Sequence, residues 1–277
     1  MKPKLFSYNR MDTFIHRLSG LTKLNCFLIL TTAVMVTYDI RIILFVMGVS
    51  FIMLVISGIR FSMIKTMLVY VGIFLVTNFI LTYLFLPRYG VEIYGTEHVL
   101  FSFSKDYPVT AEQLFYQITK FSKYLSVIPL GMVFVFTTNP SEFASSLNRI
   151  GVPYKVCTVL SLTLRYFPDV ARDYQAISLT QQARGLDLTS KTNLKSRLKN
   201  ISSILSPLLF TTIDRIDLIS NAMDLRGFGK YKKRTWYAAR PLGAADYGSV
   251  CFCLLVLAVS LYVRFFVNHS FYYNPFV

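Results

Sequence analysis

Two arginines, Arg184 and Arg226, are the residues of this chain best suited to recognising another molecule, because each closes a copy of one short pattern. Ile177-Ser178-Leu179-Thr180-Gln181-Gln182-Ala183-Arg184-Gly185-Leu186 aligns with Ile219-Ser220-Asn221-Ala222-Met223-Asp224-Leu225-Arg226-Gly227-Phe228, 42 residues further on. The shared skeleton is Ile-Ser, a variable stretch, Arg-Gly and a large apolar residue. A guanidinium is a planar fork of donors that suits bidentate contact with carboxylates or carbonyls on a partner. Seven residues make about two turns of helix, so Ile177 and Arg184 share a face, as do Ile219 and Arg226. Glycine is the favoured residue just past a helix end, because it adopts the left-handed conformation without steric cost. The pattern predicts two helices, each ending in an outward arginine. For one copy, plainer explanations suffice: an arginine near a helix C-terminus gains from the macrodipole, and a basic amphipathic helix can lie on anionic lipid. Neither explains the same Ile-to-Arg face relation and the same Arg-Gly ending twice.

A second chemistry is conceivable at four carboxylates. Asp169 and Asp173 at i, i+4, with Asp214 and Asp217 at i, i+3, could hold a divalent cation for phospholipid or prenyl transfer. Arg172 and Arg215 stand among them, however, and pairing along solvated helix faces accounts for all four acids. The Asp-Gly and Ala-Arg spacing of CDP-alcohol transferases is missing, as are the Asn/Asp-rich pairs of prenyltransferases. A membrane enzyme of lipid or prenyl transfer is thus an alternative reading. Cys26, Cys157, Cys251 and Cys253 lie in apolar or amphipathic stretches without zinc-ligand spacing, so neither a metal site nor a cofactor is expected. His16, His98 and His269 fall in polar or terminal stretches and carry no expected role.

The elements that must position these groups are mostly greasy. Of 277 residues, 54% are apolar, and the mean hydropathy is +0.49. Crossing a bilayer takes about 20 apolar residues, and five runs qualify, at 24–38, 42–59, 67–86, 124–138 and 247–266. Asp39-Ile40-Arg41 is the sole polar break between the first two, which predicts a tight hairpin. A polar stretch precedes the first run and no small-residue cleavage site follows it, so no cleavable signal peptide is expected. The net charge of +15 would suit nucleic acid, but 16 of the 29 Lys/Arg lie between residues 139 and 246. That clustering is the positive-inside signature of cytoplasmic segments, and nucleic acid is not an expected partner. It places the N-terminus, residues 60–65 and residues 139–246 inside. The 87–120 loop and the tail beyond 266 then lie outside, where Phe265, Phe266, Phe271, Tyr272, Tyr273 and Phe276 suit an interfacial aromatic belt. The expected fold is an all-α membrane protein with about five spans and long amphipathic cytoplasmic helices. Its parts are a membrane domain at 1–138 with four candidate spans, a coupling-helix region at 139–246, and a last span with external tail at 247–277.

Within 139–246, 24 charged residues exclude ordinary spans, since each Lys, Arg or Asp costs about 2.5–3.5 kcal/mol at a bilayer centre. Asn139-Pro140-Ser141-Glu142 signals a helix start, and Gly151 a stop. Pro153 opens the next segment, Pro168 punctuates it, and Asp169 begins the helix that ends at Arg184. A polar linker over 187–195 leads to a long helix over 196–226, in which Ile201, Leu205, Leu208, Ile216, Ile219 and Met223 keep helical spacing.

At these residues the chain resembles the transmembrane (T) component of energy-coupling factor transporters, a prokaryotic class of ABC importers. Members carry two short Ala-Arg-Ser/Gly-like motifs at the ends of cytoplasmic coupling helices. Ala183-Arg184-Gly185 matches fully; Leu225-Arg226-Gly227 departs from the usual alanine at its first position. The resemblance implies a non-enzymatic scaffold that joins two ABC-type ATPase subunits to a membrane-embedded S component, which binds the vitamin or metal ion. Each motif arginine would enter a groove on one ATPase. Contact with the S component is expected on the apolar faces bearing Val170, Tyr174 and Ile177, and Ile201, Leu205, Leu208, Ile216 and Ile219. A self-sufficient permease is a further alternative, but such proteins keep ionisable groups in their spans, and the apolar cores of these runs hold none. The chain has no Gly-rich phosphate loop, so ATP use must come from a partner.

Overall fold

In hydrocarbon the backbone has no water to bond, so a spanning segment must satisfy its own N–H and C=O groups, and the apolar runs therefore form helices. The computed structural model describes residues 13–59, 61–102, 108–185, 194–231, 235–237, 239–268 and 271–276. In chain order the helices are α1 (Phe14–Arg17), α2 (Gly20–Val36), α3 (Ile40–Ile56), α4 (Phe61–Phe85), α5 (Tyr89–Tyr94), α6 (Ala111–Thr137), α7 (Pro140–Ile150), α8 (Tyr154–Ala183), α9 (Leu194–Leu225) and α10 (Ala244–Tyr262). A π-helical turn, Val263–Val267, extends α10, and strands β1 (Val99–Ser102) and β2 (Pro108–Thr110) pair antiparallel between α5 and α6. This is an all-α membrane protein. Residues Ile64–Phe85, Ala111–Thr137 and Ala244–Val267 are long and apolar enough to cross a membrane, and α2 and α3 are shorter apolar helices. At 17 residues each, those two reach the lower end of the roughly 17–25 that a span needs.

The chain divides into two units, Met1–Asn139 with Arg240–Val277, and Pro140–Ala239. In the first, α2, α3, α6 and α10 share a core of Cys26, Leu30, Ala33, Val34, Ile43, Val46, Leu130, Cys253 and Val256, among others. Two of the helices extend beyond their apolar runs. The fourth apolar run is the second half of a helix that begins at Ala111, so Lys120 and Lys123 lie inside it. Lys23 likewise belongs to α2. The spanning helices do carry ionisable groups.

Those groups have defined work. A helix leaves its last carbonyls without intrahelical partners, and burial makes each unmet one costly. Lys23 Nζ donates to Thr137 O, the last residue of α6, at 2.8 Å. Lys123 Nζ donates to Met35 O at 3.2 Å and Thr37 O at 3.5 Å, and lies 3.7 Å from the centre of the Tyr38 ring. Arg264 Nη1 donates to Val36 O at 2.9 Å, and Arg240 Nη1 to His16 O at 3.3 Å. The N-termini receive acids. Asp246 accepts from the backbone N–H of Gly243 at 2.8 Å and of Ser19 at 2.9 Å, thereby serving the starts of both α10 and α2. Asp39 accepts from Arg41 N at 2.9 Å at the start of α3, and from Asn268 Nδ2 at 3.0 Å.

At the other end of the first unit the tail turns inward. Tyr38 N donates to Phe271 O at 3.1 Å, Asn274 Nδ2 donates to Tyr94 O at 3.1 Å, and Tyr38 bridges Tyr272. Phe276 meets Tyr94 and Phe115, with ring centroids 5.8 and 5.9 Å apart. Phe265 and Phe266 are exposed as a belt requires, whereas Phe271, Tyr272, Tyr273 and Phe276 pack half-buried against the protein. Burial pushes the Tyr94 hydroxyl up to about 12, and desolvation raises Tyr272 as well. Beneath it, the fully buried Glu112 accepts from His98 N and Thr96 Oγ1 at 3.1 Å, and its Oε1 lies 2.6 Å from His98 Nδ1. Gly90 N donates to Gln113 Oε1 at 2.7 Å.

In the second unit, α7 stops at Gly151, whose φ of 118° is left-handed. Contrary to the expected break, α8 runs unbroken through Pro168. Proline there removes one intrahelical bond, but Phe167 and Pro168 are exposed and the preceding turn lies at the surface, where solvent can satisfy the released carbonyl. The linker expected over 187–195 lies outside the described residues as far as 193, and α9 begins at Leu194.

A Cβ at Gly90 would lie 2.5 Å from Gln113 N, whereas nothing stands within 4 Å of one at Gly72. Gly90→Ala is expected to cost about 1–3 kcal/mol through forced backbone movement, with Gly72→Ala close to neutral. Thermal unfolding of the detergent-solubilised variants measures both; equal midpoints would contradict the close approach.

Candidate functional site

Both copies of the repeat end their helices in the same way. Arg184 caps α8, and Gly185, at φ 89°, donates its N–H to Gln182 O at 2.9 Å. Arg226 follows α9, and Gly227, at φ 67°, donates to Asp224 O at 2.9 Å. Phe228 N then bonds Met223 O at 3.0 Å, which completes a Schellman closure. Left-handed φ at both glycines is the conformation a β-carbon disfavours, which explains Arg-Gly in each copy.

Ala183, Arg184, Leu225 and Arg226 are exposed. Leu225, the departure from alanine, is 89% exposed. It sets an exposed apolar group beside Arg226.

An ion pair ties the two helices at equivalent places. Arg215 Nη2 on α9 lies 2.7 Å from Asp173 Oδ2 on α8, and the two residues are 42 positions apart, the spacing of the repeat itself. Asp173 precedes Arg184 by as many residues as Arg215 precedes Arg226. Sequence reading placed Arg215 with its neighbours Asp214 and Asp217, and missed this cross-helix bond. Arg172 does pair with Asp169 along α8. No cluster able to hold a metal occurs among the described residues, and at least two of the four candidate carboxylates are engaged by arginine.

Three aromatic rings hold the second motif. Phe228 meets Tyr154, at the start of α8, with centroids 5.9 Å apart, and Trp236 meets Tyr154 at 5.3 Å. Trp236 Nε1 donates to Asn148 Oδ1 at 3.1 Å, and Asn148 Nδ2 donates to Val152 O at 2.9 Å. The chain leaving Arg226 is thereby fastened to the α7–α8 junction. No local pattern joins residues this far apart, and only the large apolar residue after the second Arg-Gly hinted at an anchor.

The apolar positions expected to meet a membrane partner divide in two. Tyr174, Ile201, Leu205 and Ile216 are exposed, while Val170, Ile177, Leu208 and Ile219 are half-buried. Ile204, which the sequence reading left out, is buried in α9, and Leu209, Phe210 and Ile213 extend the exposed face.

Residues 11–237 match the family described as CbiQ, cobalt transport protein. The energy-coupling factor transporter transmembrane protein EcfT of Bacillus selenitireducens is 26% identical over 262 residues, covering 92% of this chain and 94% of that protein. EcfT of Macrococcus caseolyticus is 28% identical over 129 residues, 42% of this chain and 48% of its own length. A putative ABC transporter ATP-binding protein of Bifidobacterium longum is 33% identical over 132 residues, 45% of this chain. The chain thus spans about half the length of the Macrococcus protein and 17% of the Bifidobacterium one.

The aromatic anchor serves one motif only. Phe228→Ala is expected to speed amide exchange at Gly227 and Phe228 several-fold while leaving Gly185 unchanged, because about 1 kcal/mol of lost packing corresponds to roughly fivefold in local opening. Hydrogen–deuterium exchange resolves the two helix ends, and equal acceleration at both would remove the anchor's role.

Proposed function

The chain belongs to the CbiQ family of transmembrane components of energy-coupling factor transporters, and on that premise we propose that it couples two ABC-type ATPase subunits to a membrane-embedded S component. The observation that carries the reading is the pair of like-built helix ends, each presenting an exposed arginine before a left-handed glycine. Each arginine enters a groove on one ATPase, where its planar fork meets carboxylates or carbonyls shielded from water. The Bifidobacterium relative, named for ATP binding, carries a stretch like this chain within one longer polypeptide, which supports pairing with an ATPase.

ATP-driven movement of the two ATPases displaces α8 and α9, and the apolar face bearing Tyr174, Ile201, Leu205 and Ile216 passes that movement to the S component, which holds the vitamin or metal ion. Half-buried Val170, Ile177, Leu208 and Ile219 support this face from behind. The chain itself hydrolyses no ATP, needs no cofactor and binds no transported solute. It resides in the cell membrane with its N-terminus and residues 139–246 cytoplasmic, as the Lys/Arg clustering supports.

Truncating one motif arginine is expected to cost about 2–5 kcal/mol of docking. Arg184→Ala or Arg226→Ala leaves the complex held through the other contact. The double alanine variant loses ATPase copurification or uncouples hydrolysis from uptake. Lysine rescues poorly at either place, because a point charge does not reproduce the fork. Copurification with uptake assays measures this series, and normal uptake in the double alanine variant would eliminate the reading. Orientation has its own check: cysteines at exposed Leu100 and Tyr237 should react with impermeant maleimide from opposite sides of the cell membrane, and labelling of both from outside refutes it.

A further inference from the structure

At one end of the first unit, a groove of about 530 Å³ opens between the membrane helices. Its walls come from α1, the first half of α2, the last turns of α3 and α6, and the first turns of α10. Phe27, Met53, Phe134 and Phe252 make them apolar, and Gly248 leaves a gap in the α10 wall. Helix packing normally leaves few voids larger than a water molecule, and this one falls within the roughly 300–1,000 Å³ range of ligand pockets. Water gains little there, because a stable buried water needs two or more polar partners. The groove lies between spanning helices, so its natural filling is hydrocarbon from the surrounding bilayer. Charge narrows the choice further. Exposed Arg17 ends α1 between the lining residues Ile15 and Leu18, and the Arg240 guanidinium bonds the carbonyl of His16 beside them, whereas Lys23, also in the lining, is buried with its ammonium turned to Thr137 O. Basic residues at a membrane surface attract anionic headgroups.

We propose that this groove is a binding site for one acyl chain of an anionic phospholipid, whose phosphate is held by Arg17 and Arg240. The site is separate from the Arg184 and Arg226 motifs and does not depend on their role.

The full chain, purified in mild detergent and exchanged into defined lipid, provides the test by native mass spectrometry. Wild type is expected to retain one phosphatidylglycerol, with about fivefold preference over phosphatidylcholine. Arg240→Gln should abolish that preference, since one basic residue near a membrane surface is worth about this much. Gly248→Trp fills the groove and should reduce retention at least fivefold, whereas Gly72→Trp, a matched change on α4 outside the groove, should leave it unchanged. Ser249→Phe gives an independent filled variant should Gly248→Trp not fold. Phosphatidylglycerol should raise the unfolding temperature of delipidated wild type but not that of the filled variants. Equal retention by wild type and both filled variants, equal retention of the two lipids, or crosslinking of Ser249→Cys to a second polypeptide in place of lipid would each overturn the proposal.

Discussion

Every helix that ends inside or beside a bilayer leaves carbonyls and N–H groups that must find partners, and this protein meets the requirement with charge. Lys23, Lys123, Arg240 and Arg264 each donate to carbonyls at or just beyond the C-terminal turn of a neighbouring helix. Asp39 and Asp246 accept from N-terminal amides. Signs follow the macrodipole, cations at carbonyl ends and carboxylates at amide ends. The same bonds decide which helices are neighbours: Asp246 joins the starts of α10 and α2, and Lys123 on α6 joins the end of α2.

Apolar runs and glycine punctuation were legible in the sequence because both are local. Five runs became five helices, and the left-handed residues at 151, 185 and 227 stood where a β-carbon would have been strained. Arg184 and Arg226 could be singled out for the same reason. Pro168 misled because its cost depends on exposure, which no window of sequence records. Lys120 and Lys123 misled because hydropathy counts a lysine as a break, whereas a lysine with oxygen partners, the Thr82 hydroxyl for Lys120 and the Met35 and Thr37 carbonyls for Lys123, remains within a helix.

The least legible features join distant residues. Asn148 to Trp236 and Tyr38 to Phe271 have no signature in spacing, and Asp173 and Arg215 share the register of the repeat with no local pattern to pair them. The inward turn of the tail belongs here too. Read by composition, Phe271, Tyr272 and Phe276 suit an interfacial belt, yet Tyr94, Phe115 and Tyr116 offer a denser aromatic surface within the protein. In contrast, the repeat told something the ion pair later made physical: Asp173 and Arg215, which match in its 42-residue register, meet in space.

That equivalence has a mechanical consequence. On the proposed function, the bond between Asp173 and Arg215 would serve as a fulcrum with arms of equal length, about 16 Å to each arginine at 1.5 Å per residue. Equal arms give no leverage to either handle, so a push at one motif is balanced by a push of the same size at the other. On the proposed function, a protein hinged in this way would respond to the difference between the forces on its two ends, whether the two ATPases are alike or unlike.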